Sequence, residues 1–265
     1  MYIVRYDMKK TVENLTVVEN RRLTAHHFLL RLTSSSPLPE MIPGQFVEVL
    51  ADDSPSTFLR RPISINYFDA ERNEMWLLVA AVGDGTRAIA GKREGDVLNC
   101  VFPLGNGFTT ALPADSHVLL VGGGVGVAPL LFLGRRLSED GVSPTFLLGA
   151  RTEGDLLERE LFEQIGRTYV TTEDGSAGER GFVTNHSLLA SEKFDFVFTC
   201  GPGPMMKAVA SYARNNNIRC EVSLENMMAC GLGACLCCVE KTVDGNLCVC
   251  KDGPVFDIDR LLWNK

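Results

Sequence analysis

Six of the nine cysteines fall within 21 residues: Cys230, Cys235, Cys237, Cys238, Cys248 and Cys250. No other feature restricts the fold as tightly, because so many thiols in so short a stretch must close around something. Cys230, Cys235 and Cys238 have C-x4-C-x2-C spacing, and Cys250 follows after 11 intervening residues. That is the loop spacing of a plant-type [2Fe–2S] centre, in which four thiolates converge on two irons. Gly231 and Gly233 would let the backbone curl and offer N–H groups to sulfur. A structural zinc ion also takes four thiolates, but it is usually offered two C-x2-C pairs. Unliganded thiols are the third reading. Cys237 and Cys248 are left unassigned by the spacing. Cys248 and Cys250 are two apart, so in an extended segment they point to opposite faces and only one can face the cluster.

The remaining three, Cys100, Cys200 and Cys220, read by default as small buried apolar residues. The total is odd, and the N-terminal MYIVRYDMKK has neither an apolar core nor a small-residue cleavage site. A secreted disulfide scaffold is therefore a poor fit, and clustered thiols in a reducing, cytoplasmic setting point to metal or redox chemistry. A net charge of -7 gives no electrostatic footprint for nucleic acid or an anionic membrane. The longest uncharged stretch, the 17 residues Val118–Gly134, holds five glycines and Pro129. It reads as a buried strand, loop and helix rather than a membrane span.

Three textures divide the chain. Residues 1–112 carry short β-rich runs (Thr11–Val18, His27–Leu32, Gln45–Leu50, Pro62–Tyr67, Met75–Val82, Val97–Phe102) separated by Gly and Pro. This pattern predicts an antiparallel barrel or sandwich, with one helical piece over Thr86–Lys92. Residues 113–222 alternate apolar strands (Val118–Val121, Thr145–Leu148, Tyr169–Thr171, Phe196–Thr199) with helices near Ala128–Glu139, Asp155–Ile165 and Pro204–Asn215. That alternation predicts a parallel sheet of nucleotide-binding type. Residues 223–265 hold the thiols and no long periodic segment, so this tail needs a metal staple or docking onto the rest. The fold class is thus α+β and multidomain.

Two glycine loops sit at strand-to-helix junctions. The first, Gly122-Gly123-Gly124-Val125-Gly126, offers bare N–H groups and a helix start to a pyrophosphate. The second is Cys200-Gly201-Pro202, where Cys200 is either a buried strand end or a contact to the nicotinamide. Two such loops in one sheet predict a nucleotide crevice. Thr172-Glu173-Asp174-Gly175 is acidic with no adjacent Arg or Lys, which favours NAD over NADP unless it is simply a solvated turn. In the barrel, Arg60-Arg61-Pro62-Ile63-Ser64 offers a guanidinium for a pyrophosphate and a hydroxyl for a ring. Gly83-Asp84-Gly85-Thr86 starts the short helix, a further anion site.

In this order the motifs make the chain similar to the ferredoxin–NADP reductase superfamily. Within it, the chain most resembles the iron–sulfur electron-transfer subunits of class 1B dihydroorotate dehydrogenase. The resemblance spans nearly the whole chain and is carried by Leu59–Ile65, Pro103–Phe108, Met228–Cys235 and Cys250–Phe256. It implies FAD against Arg61, Pro62, Ile63 and Ser64, with Arg61 on the pyrophosphate and Ser64 near the flavin N5. Leu78, Val79 and Ala80 would meet FAD through the main chain, and Gly85 and Thr86 its phosphates. Gly122 to Gly126 and Cys200 to Pro202 would form the NAD site. Cys230, Cys235, Cys238 and Cys250 would ligate the cluster, Cys250 being chosen over Cys248 by the Lys-Asp-Gly-Pro-Val-Phe that follows it. The superfamily commonly has Tyr where this chain has Ile63, and the 239–249 stretch departs in composition, extra thiols included.

The activity so implied is a relay in pyrimidine biosynthesis. An FMN-containing partner oxidises dihydroorotate, and electrons pass through [2Fe–2S] and FAD to NAD+ in a heterotetramer of two of each subunit. No acid–base dyad is required of this chain, and its four histidines lie outside the motifs. A partner surface is expected around residues 225–256, with Met228, Leu232 and Leu236 as its apolar rim or else packed inward. The alternative function is a diaphorase-type FAD/[2Fe–2S] subunit serving a sulfide dehydrogenase, a hydrogenase or a bifurcating transhydrogenase. A non-enzymatic zinc or nucleotide module is the third reading.

Overall fold

The computed structural model describes residues 10–263, so the N-terminal stretch read above for a secretory signal lies outside the described residues. Six strands, β1 (Thr11–Arg22), β2 (His27–Thr33), β3 (Phe46–Val49), β4 (Arg61–Asp69), β5 (Glu74–Ala80) and β6 (Val97–Leu104), close into an antiparallel barrel. Their order round the barrel is β1-β2-β5-β4-β3-β6. Alternate residues point inward. Leu15 and Val17, Leu30 and Leu32, Val47 and Val49, Leu77 and Val79, and Leu98 and Cys100 therefore fill the barrel. Register shifts at Val17/Glu19, Phe46/Glu48 and Ile65/Tyr67 give the bends that closure needs. Helix α1 (Asp84–Ala90) follows β5, starting two residues earlier than its predicted span.

The second unit alternates β7 (Val118–Gly123), α2 (Ala128–Glu139), β8 (Pro144–Ala150), α3 (Arg159–Ile165), β9 (Arg167–Thr172) and β10 (Glu179–Arg180). It continues with α4 (Leu188–Ser191), β11 (Phe196–Cys200), α5 (Gly203–Asn215) and β12 (Arg219–Ser223). The tail adds β13 (Val239–Thr242), β14 (Gly245–Cys248), α6 (Val249–Asp252) and β15 (Val255–Asp257). The sheet runs β10-β9-β8-β7-β11-β12-β15. The first six strands are parallel. The seventh comes from the tail: β15 pairs antiparallel to β12, with Val222 opposite Phe256.

That edge strand is how the tail docks. Phe256, Ile258 and Leu261 are buried in one cluster with Val222, Leu224 and Cys220. The Arg214 guanidinium of α5 donates to the carbonyls of Ile258 and Trp263, tying the chain end to the sheet. Helix α3 begins four residues later than predicted, because Glu158 adopts a left-handed conformation (φ 55) that breaks the run from 155. The barrel and sheet meet where Phe132 of α2 enters the barrel cluster, its ring edge-on to Tyr67 at 5.8 Å. Among the described residues no helix is long and apolar enough to cross a membrane.

Candidate functional site

The strand order reverses between β7 and β11, the two strands that carry the glycine loops. In open α/β sheets a ligand crevice forms there, outside the carboxyl ends. The loops touch: a Cβ on Gly126 would stand 2.4 Å from the Gly201 Cα and 2.7 Å from the Cys200 carbonyl carbon. No side chain fits between them, so both loops expose backbone to the crevice. Gly124 has φ 55 and leads a short 3-10 turn, Gly124–Val127, into α2. A Cβ on Gly124 would meet nothing within 4 Å, so its outer side is open to a ligand.

Between barrel and sheet lies a cavity of ≈ 230 Å³. Its barrel wall is Pro62, Ile63 and Ser64 of β4, Leu78 and Ala80 of β5, and Thr86 of α1. Val79, between the last two strand residues, points into the barrel core, as alternation demands. Arg60 and Arg61 face opposite ways for the same reason. Arg60 is spent on the Asn99 carbonyl and side chain, at 2.9 and 2.5 Å. Arg61 forms no ion pair among the described residues. Its Nε would lie 2.8 Å from a Cβ on Gly85, so that glycine leaves room for the guanidinium beside the start of α1. The Thr86 hydroxyl accepts from the Gly83 N–H at 3.0 Å and shapes that turn. A mostly apolar cavity with a guanidinium free of ion pairs beside the start of α1 fits a flavin and its pyrophosphate.

The opposite wall was not read from the sequence. Ser223 at the end of β12, and Leu224, Glu225, Asn226 and Met228 just past it, close the cavity together with Val125 and Pro254. Met228 is thereby buried, which removes it from the expected apolar rim, whereas Leu232 and Leu236 are exposed. Cys200 is fully buried and does not line the cavity. Its sulfur instead faces Glu225 Oε1 at 3.8 Å. Burial holds the Glu225 carboxyl above the ordinary carboxylate range, and burial, then Glu225, raises the Cys200 thiol. No histidine lines the cavity. An acid two residues beyond the carboxyl end of a sheet strand was the available signal for Glu225.

Glu173 and Asp174 form an exposed turn in which Ser176 N–H donates to Asp174 at 3.0 Å. Arg180 packs over Gly175, its Cβ 3.1 Å from where a glycine Cβ would stand, and the Asp174 N–H donates to the Arg151 carbonyl. The fold therefore sets one basic side chain, that of Arg180, beside the acidic turn.

The thiol loop hangs beside the barrel. Leu232 and Ala234 N–H groups each donate to Cys230 Sγ at 3.4 Å, Gly233 N–H to Cys250 Sγ at 3.1 Å, and Cys250 N–H to Cys238 Sγ at 3.4 Å. Gly231, Gly233 and Leu236 hold φ of 65, 81 and 59, the left-handed turns that wrap the loop. These N–H groups, Leu232 foremost, lower the Cys230 thiol to about 6, as expected where a thiolate is wanted. The Cys250 N–H contact to Cys238 Sγ and the Gly233 N–H contact to Cys250 Sγ draw these two thiols to the same side of the loop. Among the described residues no three Cys, His, Asp or Glu groups converge as a single ion requires. Four thiols in C-x4-C-x2-C…C spacing, with N–H donors on Cys230, Cys238 and Cys250, fit a two-iron cluster. Cys237 is exposed; Cys248 is buried with its sulfur 3.8 Å from the Gly233 carbonyl. The opposed-face expectation for Cys248 and Cys250 fails, because α6 begins between them and the segment is not extended.

One further residue stands out between the two centres. Glu48 of β3 is buried with both carboxylate oxygens unpartnered, beside Gly231, and burial pushes its carboxyl up to about 7.

A closed antiparallel barrel, a switch-point sheet and a four-thiol tail define a reductase of the ferredoxin–NADP reductase type carrying FAD, NAD and [2Fe–2S]. Its parts match known families: residues 225–262 fit the iron–sulfur cluster binding domain of dihydroorotate dehydrogenase B, and residues 120–211 the oxidoreductase NAD-binding domain. The chain is 38% identical to the dihydroorotate dehydrogenase B (NAD(+)) electron transfer subunit of Shouchella clausii, over 96% of this chain and all of that one. It is 41% identical to the corresponding subunit of Lysinibacillus sphaericus, over 92% and 96%. Among solved structures, the NADH-dependent reduced ferredoxin–NADP oxidoreductase superposes with TM-score 0.85 at 32% identity, over 94% of this chain and 90% of that one. The ferredoxin reductase of carbazole 1,9a-dioxygenase shares the fold, with TM-score 0.70 at 18% identity over 80% and 68%. The chain belongs to the family of dihydroorotate dehydrogenase B (NAD(+)) electron transfer subunits.

Proposed function

We propose that this oxidoreductase subunit relays electrons from a dihydroorotate-oxidising, FMN-containing catalytic subunit to NAD+. The complex would be cytoplasmic, contain two copies of each subunit and serve pyrimidine biosynthesis. One observation carries the reading. The segment 223–228 that closes the cavity runs directly into Cys230, so the flavin slot and the thiol loop share a wall.

In this reading residues 1–112 hold FAD, 113–222 hold NAD and 223–265 hold the cluster. Arg61, with Gly85 and Thr86 at the start of α1, binds the pyrophosphate. Pro62, Ile63 and Ser64, and the backbone of Leu78 to Ala80, seat the ring. Gly122 to Gly126, with Cys200, Gly201 and Pro202, receive the nicotinamide nucleotide through backbone contacts. Cys230, Cys235, Cys238 and Cys250 ligate the cluster. Bound FAD supplies the conversion between one-electron and hydride chemistry. The chain's own part is to seat, orient and desolvate. Glu225, its carboxyl turned toward the Cys200 sulfur and its value raised by desolvation, stands at the cavity wall, and Ser64 presents a hydroxyl to the ring edge.

The test is anaerobic isolation of the native complex followed by addition of dihydroorotate and NAD+. NADH formation, followed by its absorbance, is the expected result. A brown, flavin-loaded complex that makes no NADH from dihydroorotate would move the chain to a diaphorase-type role with a different partner.

A further inference from the structure

Cys248 has no part in the four-ligand loop, yet its sulfur lies against the same residue as that of Cys250. Cys250 Sγ accepts from the Gly233 N–H at 3.1 Å, and Cys248 Sγ lies 3.8 Å from the Gly233 carbonyl. The cause is local. Strand β14 ends at Cys248 and α6 begins at Val249, so the chain turns and both thiols stay on the loop side. Cys248 also stands opposite Val239 in the β13–β14 hairpin, one residue along from Cys238. Cys250 reaches Cys238 from the other direction, its N–H donating to Cys238 Sγ at 3.4 Å. Cys248 is 9% exposed, and the long Gly233 contact is its sulfur's only hydrogen-bond contact among the described residues. A buried thiol with no committed partner therefore faces the cluster loop beside two ligands. Cys237, by contrast, is exposed.

We propose that Cys248 is a fifth thiol of the cluster site, a standby ligand able to take the place of Cys250. This rests on the [2Fe–2S] reading of the loop. In the exchange the Cys248 sulfur bonds to iron as it gives up its proton. The iron–Cys250 bond breaks, and Cys250 takes up that proton. No electron is gained or lost, so the step needs no oxidant or reductant. The thiolate is the ligating form, so exchange requires only a nearby thiol and a route for one proton.

The experiment compares the full chain, produced in its native host and purified anaerobically with its partner, as wild type, Cys248→Ala, Cys250→Ala and the double variant. Iron and acid-labile sulfide per chain are measured with the electron paramagnetic resonance of the reduced protein, and bound FAD reports that the remainder is folded. Expected is wild-type iron in Cys248→Ala and at least half of it in Cys250→Ala, with an altered resonance. The double variant should lose about tenfold while keeping FAD. Iron loss in Cys250→Ala as deep as in the double variant, with FAD retained, would overturn the standby role. So would a Cys248→Ala protein that loses its cluster while Cys250→Ala keeps it. A wild-type protein with FAD but no iron or sulfide would instead bring down the cluster reading itself.

Discussion

The flavin cavity and the thiol loop stand side by side and are built in opposite ways. The cavity takes its walls from six stretches far apart in the chain, near residues 46, 62–64, 78–86, 125–128, 223–228 and 254, most of them held by a strand or helix. Its neighbours are fully buried side chains such as Leu77, Val79 and Ile65. The loop from Cys230 to Cys238 contains no helix or strand. It is shaped by three left-handed residues and a few N–H to sulfur contacts. The cavity is thus preformed by packing, whereas the loop is held largely by what it ligates. Two centres a few residues apart should fail separately.

The largest effect should come from the loop. Cys235→Ala removes an exposed thiol of the proposed ligand set, so iron content and partner-driven NAD+ reduction should fall to background. FAD content and NADH oxidation by a soluble acceptor should stay near wild type. Loss of FAD together with iron would erase the contrast. Next is the element that joins the two centres. Phe256 is 1% exposed and stands opposite Val222 in the sheet. Phe256→Ala should cost about 3–5 kcal/mol of stability in thermal or urea unfolding, the usual range for a buried aromatic. Unlike Cys235→Ala, it should weaken both centres together.

The same contrast governs what could be read in advance. The thiol loop, being contiguous, was visible as spacing, and so were both glycine loops and the alternation behind β7 to β11. Helix α2 lies at Ala128–Glu139, the predicted span, because a glycine turn and Pro129 mark its start. Features built across the chain were hidden. β15 is three residues long and becomes a strand only by pairing with β12. Glu225 and Glu48 are single acids whose surroundings depend on segments distant in sequence. Asp244-Gly245 did carry a hairpin signal, and Gly245 takes the left-handed φ of 97 that such a turn uses.

Arg61 sharpens the cavity side. If it clamps the flavin pyrophosphate, Arg61→Ala removes a charge-assisted contact worth about 1.5–3 kcal/mol, or roughly 10- to 150-fold in FAD affinity. Equilibrium binding to the deflavinated complex measures it, and iron content should not change. Arg61→Lys should recover only part, since an ammonium lacks the planar fork.

The smallest effect lies at the seam between barrel and sheet, where Asn66 Nδ2 donates to Glu158 Oε1 at 2.9 Å. Glu158 Oε2 and Asn66 Oδ1 are both buried without a partner, and burial pushes the Glu158 carboxyl up to about 7. The sign follows from linkage. A folded-state value above the unfolded one means that the native protein holds its proton more tightly, so stability is lost as pH rises from about 4.5 to about 7. Protonation also turns one of two facing acceptors into a donor. Glu158→Gln supplies that donor permanently. It should flatten the slope of unfolding free energy across this window and stabilise the protein above pH 7. The gain should be on the order of 1–2 kcal/mol, less than the full shift because relaxation at a seam softens the penalty. Glu48→Gln, whose carboxyl is also raised to about 7, removes a second acid from the same pH window. Its effect should add to that of Glu158→Gln, because the two acids share no partner among the described residues. A pH slope unchanged in both variants would mean that each acid titrates alike in the folded protein and the unfolded chain, contrary to the raised values their burial gives.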